Sequence, residues 1–160
     1  MNRFDRWLLL ALALPCGIAQ AQTVCRFDTS GSLGFGVYDV LATTPRDSQT
    51  DIHVTCNRDS GPANISLTIG LGPGTNSTST SSRKLVSATG TTPLSYELFQ
   101  DNARTIHWGN SAAIDAATRT QFIPNKTPTA VLFTVYGRIP PRQDAVAGTY
   151  ADSVQVNLTP

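Results

Sequence analysis

The chain has 160 residues, with 12 Lys+Arg against 11 Asp+Glu, 14% charged, 40% hydrophobic and 8% aromatic. A balance so near zero leaves no electrostatic footprint for nucleic acid or an anionic membrane, and the length fits one core better than two. Low charge with few aromatics also suits disordered chains, but here the apolar residues fall in short alternating runs, so the chain is expected to fold, mostly as strands.

Residues 1–21, MNRFDRWLLLALALPCGIAQA, read as a signal peptide. Arg3 and Arg6 make the positive start, Trp7 to Leu14 the apolar stretch, and Ala19-Gln20-Ala21 the small-x-small cleavage site. The apolar stretch is far short of the ~20 residues that span a bilayer, so no membrane anchor is expected to remain. Pro15 stands where a lipoprotein signal has a small residue, and Cys16 is expected to leave with the signal. Taking 21 residues from 160 leaves 139, residues 22–160, as a single domain with 10 basic and 10 acidic side chains. Its two cysteines, Cys25 and Cys56, are an even pair in a chain routed to an oxidising compartment, where thiols normally pair; two buried free thiols are the alternative.

Thr50 to Cys56 puts Ile52, Val54 and Cys56 on one face and Asp51, His53 and Thr55 on the other, the period of a half-buried strand. Asn64 to Gly70 repeats the pattern with Ile65, Leu67 and Ile69. Leu94 to Phe99, Thr105 to Trp108, Thr129 to Gly137 and Thr149 to Leu158 follow, the last with Tyr150, Val154, Val156 and Leu158 on one face. Turn-rich segments separate them, at Asp59 to Pro62, Gly70 to Ser82, Pro124 to Pro128 and Pro140-Pro141. Gly72 to Ser82 is nearly all Gly, Ser, Thr, Pro and Asn, and reads as a mobile exposed loop. Ser111 to Thr118 is the sole helix candidate. Six to eight short strands between polar turns predict an all-β, antiparallel β-sandwich.

Catalytic chemistry finds no support. His53 and His107 lie more than fifty residues apart, without H-E-x-x-H, G-x-S-x-G or a metal-spaced cluster. The acidic residues are scattered singly, and Gly70 to Gly74 lacks the lysine of a phosphate loop. No enzyme activity, cofactor or metal is expected. The ends are more informative. Three residues, Gln22 to Val24, precede Cys25 in the predicted mature chain, and the last alternating strand ends at Leu158 near Pro160. If no later strand covers that final strand, its free edge is a template for a strand from another chain; if earlier strands flank it on both sides, it is an ordinary internal strand.

The residues resemble the spore coat protein U domain family, which includes subunits of archaic chaperone-usher pili. The resemblance spans essentially the whole mature chain. It is carried by Cys25; Phe35-Gly36-Val37-Tyr38; Val54-Thr55-Cys56; Ile65-Ser66-Leu67 with Gly70; Arg83-Lys84-Leu85; Leu94 to Phe99 followed by Asp101 and Ala103; Trp108-Gly109-Asn110; Tyr136 to Pro140 with Gln143; and Gly148 to Asp152. It implies an incomplete immunoglobulin-like sandwich missing its last strand, with a Cys25–Cys56 disulfide. A strand from a periplasmic chaperone, then one from a neighbouring subunit at an outer-membrane usher, would complete it. The acceptor groove would be lined by Val24 and Phe27 of the first strand and Val154, Val156 and Leu158 of the last. Shaft subunits of this kind donate an N-terminal extension. Three residues are too few, since a strand needs ~5 or more, so a terminal or non-polymerising subunit that accepts without donating is expected.

Within the match, Trp108 reads as core and Tyr150 as a tyrosine-corner device whose hydroxyl bonds back to the backbone. Asp152 falls on the inward parity of Val154 and is expected at a sheet end, at a bulge or in a hydrogen bond. The leading expectation is a secreted subunit of a surface pilus or coat, reached through the periplasm, with a role in adhesion or biofilm. The alternative is a stand-alone secreted module that binds a surface or carbohydrate.

Overall fold

A computed structural model of the chain describes residues 22–29, 31–88 and 92–160; the predicted signal peptide lies outside the described residues. Nine antiparallel strands and no helix make up what is described. They are β1 (Thr23–Thr29), β2 (Arg46–Arg58), β3 (Ala63–Leu71), β4 (Arg83–Ser87), β5 (Leu94–Phe99), β6 (Ala117–Ile123), β7 (Thr129–Ile139), β8 (Tyr150–Ala151) and β9 (Val156–Thr159). Six form one sheet in the order β1-β2-β7-β5-β4-β8, and three form a second, β6-β3-β9. This all-β, two-sheet arrangement is consistent with an immunoglobulin-like sandwich.

Period-2 alternation decides which faces meet. Ile52, Val54 and Cys56 of β2 and Val131, Phe133, Val135 and Ile139 of β7 are at most 5% exposed, and β2 and β7 pair over eleven residues, from Arg46↔Ile139 to Cys56↔Thr129. Leu67 and Ile69 of β3 close over them, with no exposure at all. Trp108 comes from the segment between β5 and β6 yet fills the space between the sheets at 1% exposure. Its indole N–H donates to the Ile69 carbonyl at 2.8 Å, and its ring lies 6.4 Å from that of Phe133.

Cys25 and Cys56 stand opposite each other in the β1–β2 register and form a disulfide. The bridge links residues 31 apart. By chain entropy, a loop of that size is expected to stabilise by about 3–4 kcal/mol. Urea unfolding of the native protein and of a Cys25→Ala/Cys56→Ala variant measures this; equal midpoints would mean that the bridge adds nothing.

Several elements differ from the sequence expectation. Ser111 to Thr118 is not a helix. It makes one turn, in which the Asp115 and Ala116 amides donate to the Ser111 carbonyl, and then enters β6 at Ala117. Thr105 to Trp108 is not a strand and retains a single bridge, Phe99↔His107. Asp101 accounts for this, because its carboxylate takes the Thr105 and Ile106 amides, at 2.9 and 2.8 Å, and folds the segment into a tight loop. β4 and β6 carry no clean alternation and are not legible as strands. The predicted last strand divides into β8 in the first sheet and β9 in the second.

Candidate functional site

The second sheet has three strands against six, and where it stops an open cleft of about 1400 Å³ exposes the inner face of the first. The floor is apolar, built from the inward residues Ile52, Leu94, Tyr96, Leu98, Val135 and Ile139. One wall is the segment Gly31 to Val40, and the other runs from Ala145 through β8 to Val156.

The first wall follows β2 without belonging to either sheet. Arg46 Nε donates to the Phe35 carbonyl at 2.6 Å, Ser48 Oγ to the Gly34 carbonyl at 2.6 Å, and the Tyr38 hydroxyl to the Pro140 carbonyl at 2.9 Å. Leu33 and Phe35 then reach across the sheet. The Phe35 ring meets that of Tyr96 edge-on, 6.0 Å between centres, and the Leu33 and Phe35 side chains occupy the space a Cβ on Gly137 would need. Any larger residue at Gly137 requires the Leu33 and Phe35 side chains to shift.

The second wall begins with Tyr150, whose hydroxyl donates back to the Val146 carbonyl at 3.0 Å. β8 pairs with β4 through Val86↔Ala151 and Ser87↔Tyr150, and then the chain leaves the first sheet at Asp152. The carboxylate of Asp152 accepts from the Tyr96 hydroxyl at 2.8 Å, the Thr75 amide and hydroxyl at 3.0 Å each, the Asn76 side-chain amide at 2.9 Å and the Ser153 amide at 2.8 Å. Burial and this bond hold the Tyr96 hydroxyl above the usual tyrosine range, so it remains a neutral donor. Thus Gly72 to Ser82, expected to be mobile, is tied to the wall; Ser77 Oγ further donates to the Ser79 and Ser82 carbonyls.

β9 has β3 as its only strand partner among the described residues. The Gly72 amide donates to the Gln155 carbonyl at 2.9 Å and the Thr75 amide to the Ser153 carbonyl at 3.0 Å. Main-chain groups alternate sides along a strand. With Asn157 opposite Gly70, the odd-numbered residues therefore face β3, and the N–H and C=O groups of Val154, Val156 and Leu158 turn to the unpaired edge. Val154 and Val156 also line the cleft, while Leu158 packs half-buried against the core.

Val24 and Phe27, expected in the groove, lie instead on the outer strand β1, 54% and 38% exposed, and are not part of the cleft. Gly31 to Val40 stands in their place. Glycines at 31, 34 and 36 give it no strand pattern, and the usable signal was the pair Leu33 and Phe35 between them, both packed against the core. Trp108 is in the core and Cys25 and Cys56 are paired, both away from the cleft. Among the described residues no three His, Cys, Asp or Glu side chains are grouped to hold a metal. Among the described residues no helix is long and apolar enough to cross a membrane.

The cleft thus sets an uncharged apolar floor beside free main-chain donors and acceptors on the edge of β9. Comparison with known proteins supplies a context. The family model for the Spore Coat Protein U domain matches residues 11–157. Over 135 residues the chain is 33% identical to Protein U of Myxococcus xanthus, covering 81% of this chain and 72% of that protein.

Proposed function

This chain belongs to the Spore Coat Protein U domain family, a family of structural coat and pilus subunits, and from that premise we propose that it is a secreted surface subunit assembled by accepting a strand into the cleft beside β9. The observation that carries the reading is the unpaired edge of β9, where the main-chain groups of Val154, Val156 and Leu158 border an apolar floor that no strand among the described residues covers. A strand added there pairs its backbone with those groups and sets alternate side chains against Leu94, Leu98 and Ile139. A periplasmic chaperone supplies that strand first and a neighbouring subunit replaces it at an outer-membrane usher, giving a pilus or coat with a role in adhesion or biofilm.

The test is a titration of the mature chain with an uncharged peptide of about six residues carrying valine at alternate positions. At a hundredfold excess over Kd, binding raises stability by about 2.7 kcal/mol, and the amides of Val154, Val156 and Leu158 become protected from exchange. A soluble, cooperatively unfolding monomer whose cleft amides ignore the peptide would overturn the reading and favour a stand-alone binding module.

A further inference from the structure

The wall that carries Val154 and Val156 has little holding it to the first sheet. Its strand pairing there is limited to the two residues of β8, and β9 belongs to the other sheet. Apolar residues on this wall face an apolar floor, so burial alone favours closing the gap. Two polar side chains bridge it instead.

Asp152 is the first. It sits where the chain crosses between sheets and accepts the Tyr96 hydroxyl from the floor and the Thr75 and Asn76 groups from the loop after β3. Its carboxylate occupies the space a Cβ on Gly74 would need, and Gly74 has a φ of +90°, a conformation that favours glycine.

Arg83 is the second. It leaves β4 of the first sheet, is wholly buried, and donates to the carbonyls of Gly72 at 2.8 Å, Leu71 at 2.7 Å and Trp108 at 2.9 Å. Leu71 pairs with Val156, and the Gly72 amide holds the Gln155 carbonyl. The guanidinium therefore grips the end of β3 from which β9 hangs. Its Nη1 has no hydrogen-bond partner among the described residues. A buried guanidinium so incompletely paired is a poor source of net stability beside an apolar side chain of its size, and its contribution is to position.

We infer that Asp152 and Arg83 are positioning residues that fix the spacing of the β8–β9 wall from the floor, so that the cleft is shaped before any strand enters. The purpose of this device rests on the strand-accepting reading, but its first test does not. Hydrogen exchange is followed in the peptide-free mature protein for Tyr96→Phe, which loses one hydroxyl and keeps the ring, and for Arg83→Lys, which keeps the charge and loses the planar fork. In both, exchange at the Gly72 and Thr75 amides is expected to rise about tenfold, with Val54 and Val131 changing less than about twofold. Unchanged exchange, or an equal rise at all four amides, would overturn the pinning, the second because it reports global destabilisation. Both variants are also expected to take up the valine-alternating peptide several-fold more slowly than the unaltered protein. Uptake at the unaltered rate despite a loosened wall would remove its role in acceptance. If the unaltered protein takes up no peptide, the strand-accepting reading is what fails, and exchange still decides the pinning.

Discussion

Trp108→Ala is expected to lower the stability of the mature domain by about 4 kcal/mol, toward the upper end for a single core truncation. Three separate losses add at this position. The indole is 1% exposed, so its removal opens a cavity between β3, β5 and β7 as well as forfeiting transfer energy. The Ile69 carbonyl, which pairs with Ala117 in the β3–β6 ladder, loses its second, 2.8 Å bond from the indole, worth about 1 kcal/mol. The Trp108 backbone is itself held at both ends, its amide donating to Leu98 and its carbonyl accepting from Arg83, so the segment cannot easily collapse into the void. Trp108→Phe separates the parts, because it refills most of the volume and removes only the indole bond to the Ile69 carbonyl; a loss of about 1–2 kcal/mol is expected. Urea unfolding followed by far-ultraviolet circular dichroism measures both, since the variants lack the indole reporter. An alanine variant within about 1 kcal/mol of the parent would show that the core repacks, contrary to the fixed backbone.

How much of this was legible beforehand depended on how each element is stabilised. β2, β3, β5 and β7 are paired strands with one buried face, and Ile52-Val54-Cys56 or Val131-Phe133-Val135 reads directly as period 2. β6 is an edge strand whose interior residues, Thr118 to Phe122, are half-buried or exposed, so its buried apolar residues are Ala117 and Ile123 at the two ends, and Phe122 between them points outward at 53% exposure. Its existence depends on pairing with β3, from Ala63↔Ile123 to Ile69↔Ala117, a long-range fact without a local signature. The same holds for the break between β8 and β9. Parity continues unbroken from Tyr150 to Leu158, and what divides the strand is the carboxylate of Asp152 meeting Tyr96, Thr75 and Asn76, residues 56 to 77 positions away. For the cleft, the far wall was visible as Val154 and Val156. The near wall was placed at Val24 and Phe27 by the family resemblance alone, since neither residue carries a period-2 signal with the other and the glycines of Gly31 to Gly36 break up the segment that forms it. Arg83 entered only as part of a family resemblance, and a charged residue near a serine-rich loop offers no reason to expect it at the centre of the fold.

The sharpest consequence of the β9 register is that two neighbouring proline substitutions should behave in opposite ways. Val156→Pro is expected to leave the fold nearly intact, within about 1 kcal/mol, and to weaken peptide acceptance by at least about tenfold. Asn157→Pro is expected to cost about 3 kcal/mol and to detach β9. The difference follows from which way each amide points. The Gln155 carbonyl is already taken by the Gly72 amide and Asn157 stands opposite Gly70, so the Asn157 amide belongs to the β3 ladder while that of Val156 faces the unpaired edge. A proline at 156 thus deletes a donor that the empty protein does not use and that an added strand needs. Asn157 also donates its side-chain amide to Asn110 at 2.7 Å, so Asn157→Ala serves as the control that removes that bond and keeps the backbone donor. The comparison uses thermal unfolding for the fold and the valine-alternating peptide for acceptance. Equal destabilisation by both prolines would place the Val156 amide in an existing bond, and undiminished peptide binding by Val156→Pro would move the accepting edge away from β9.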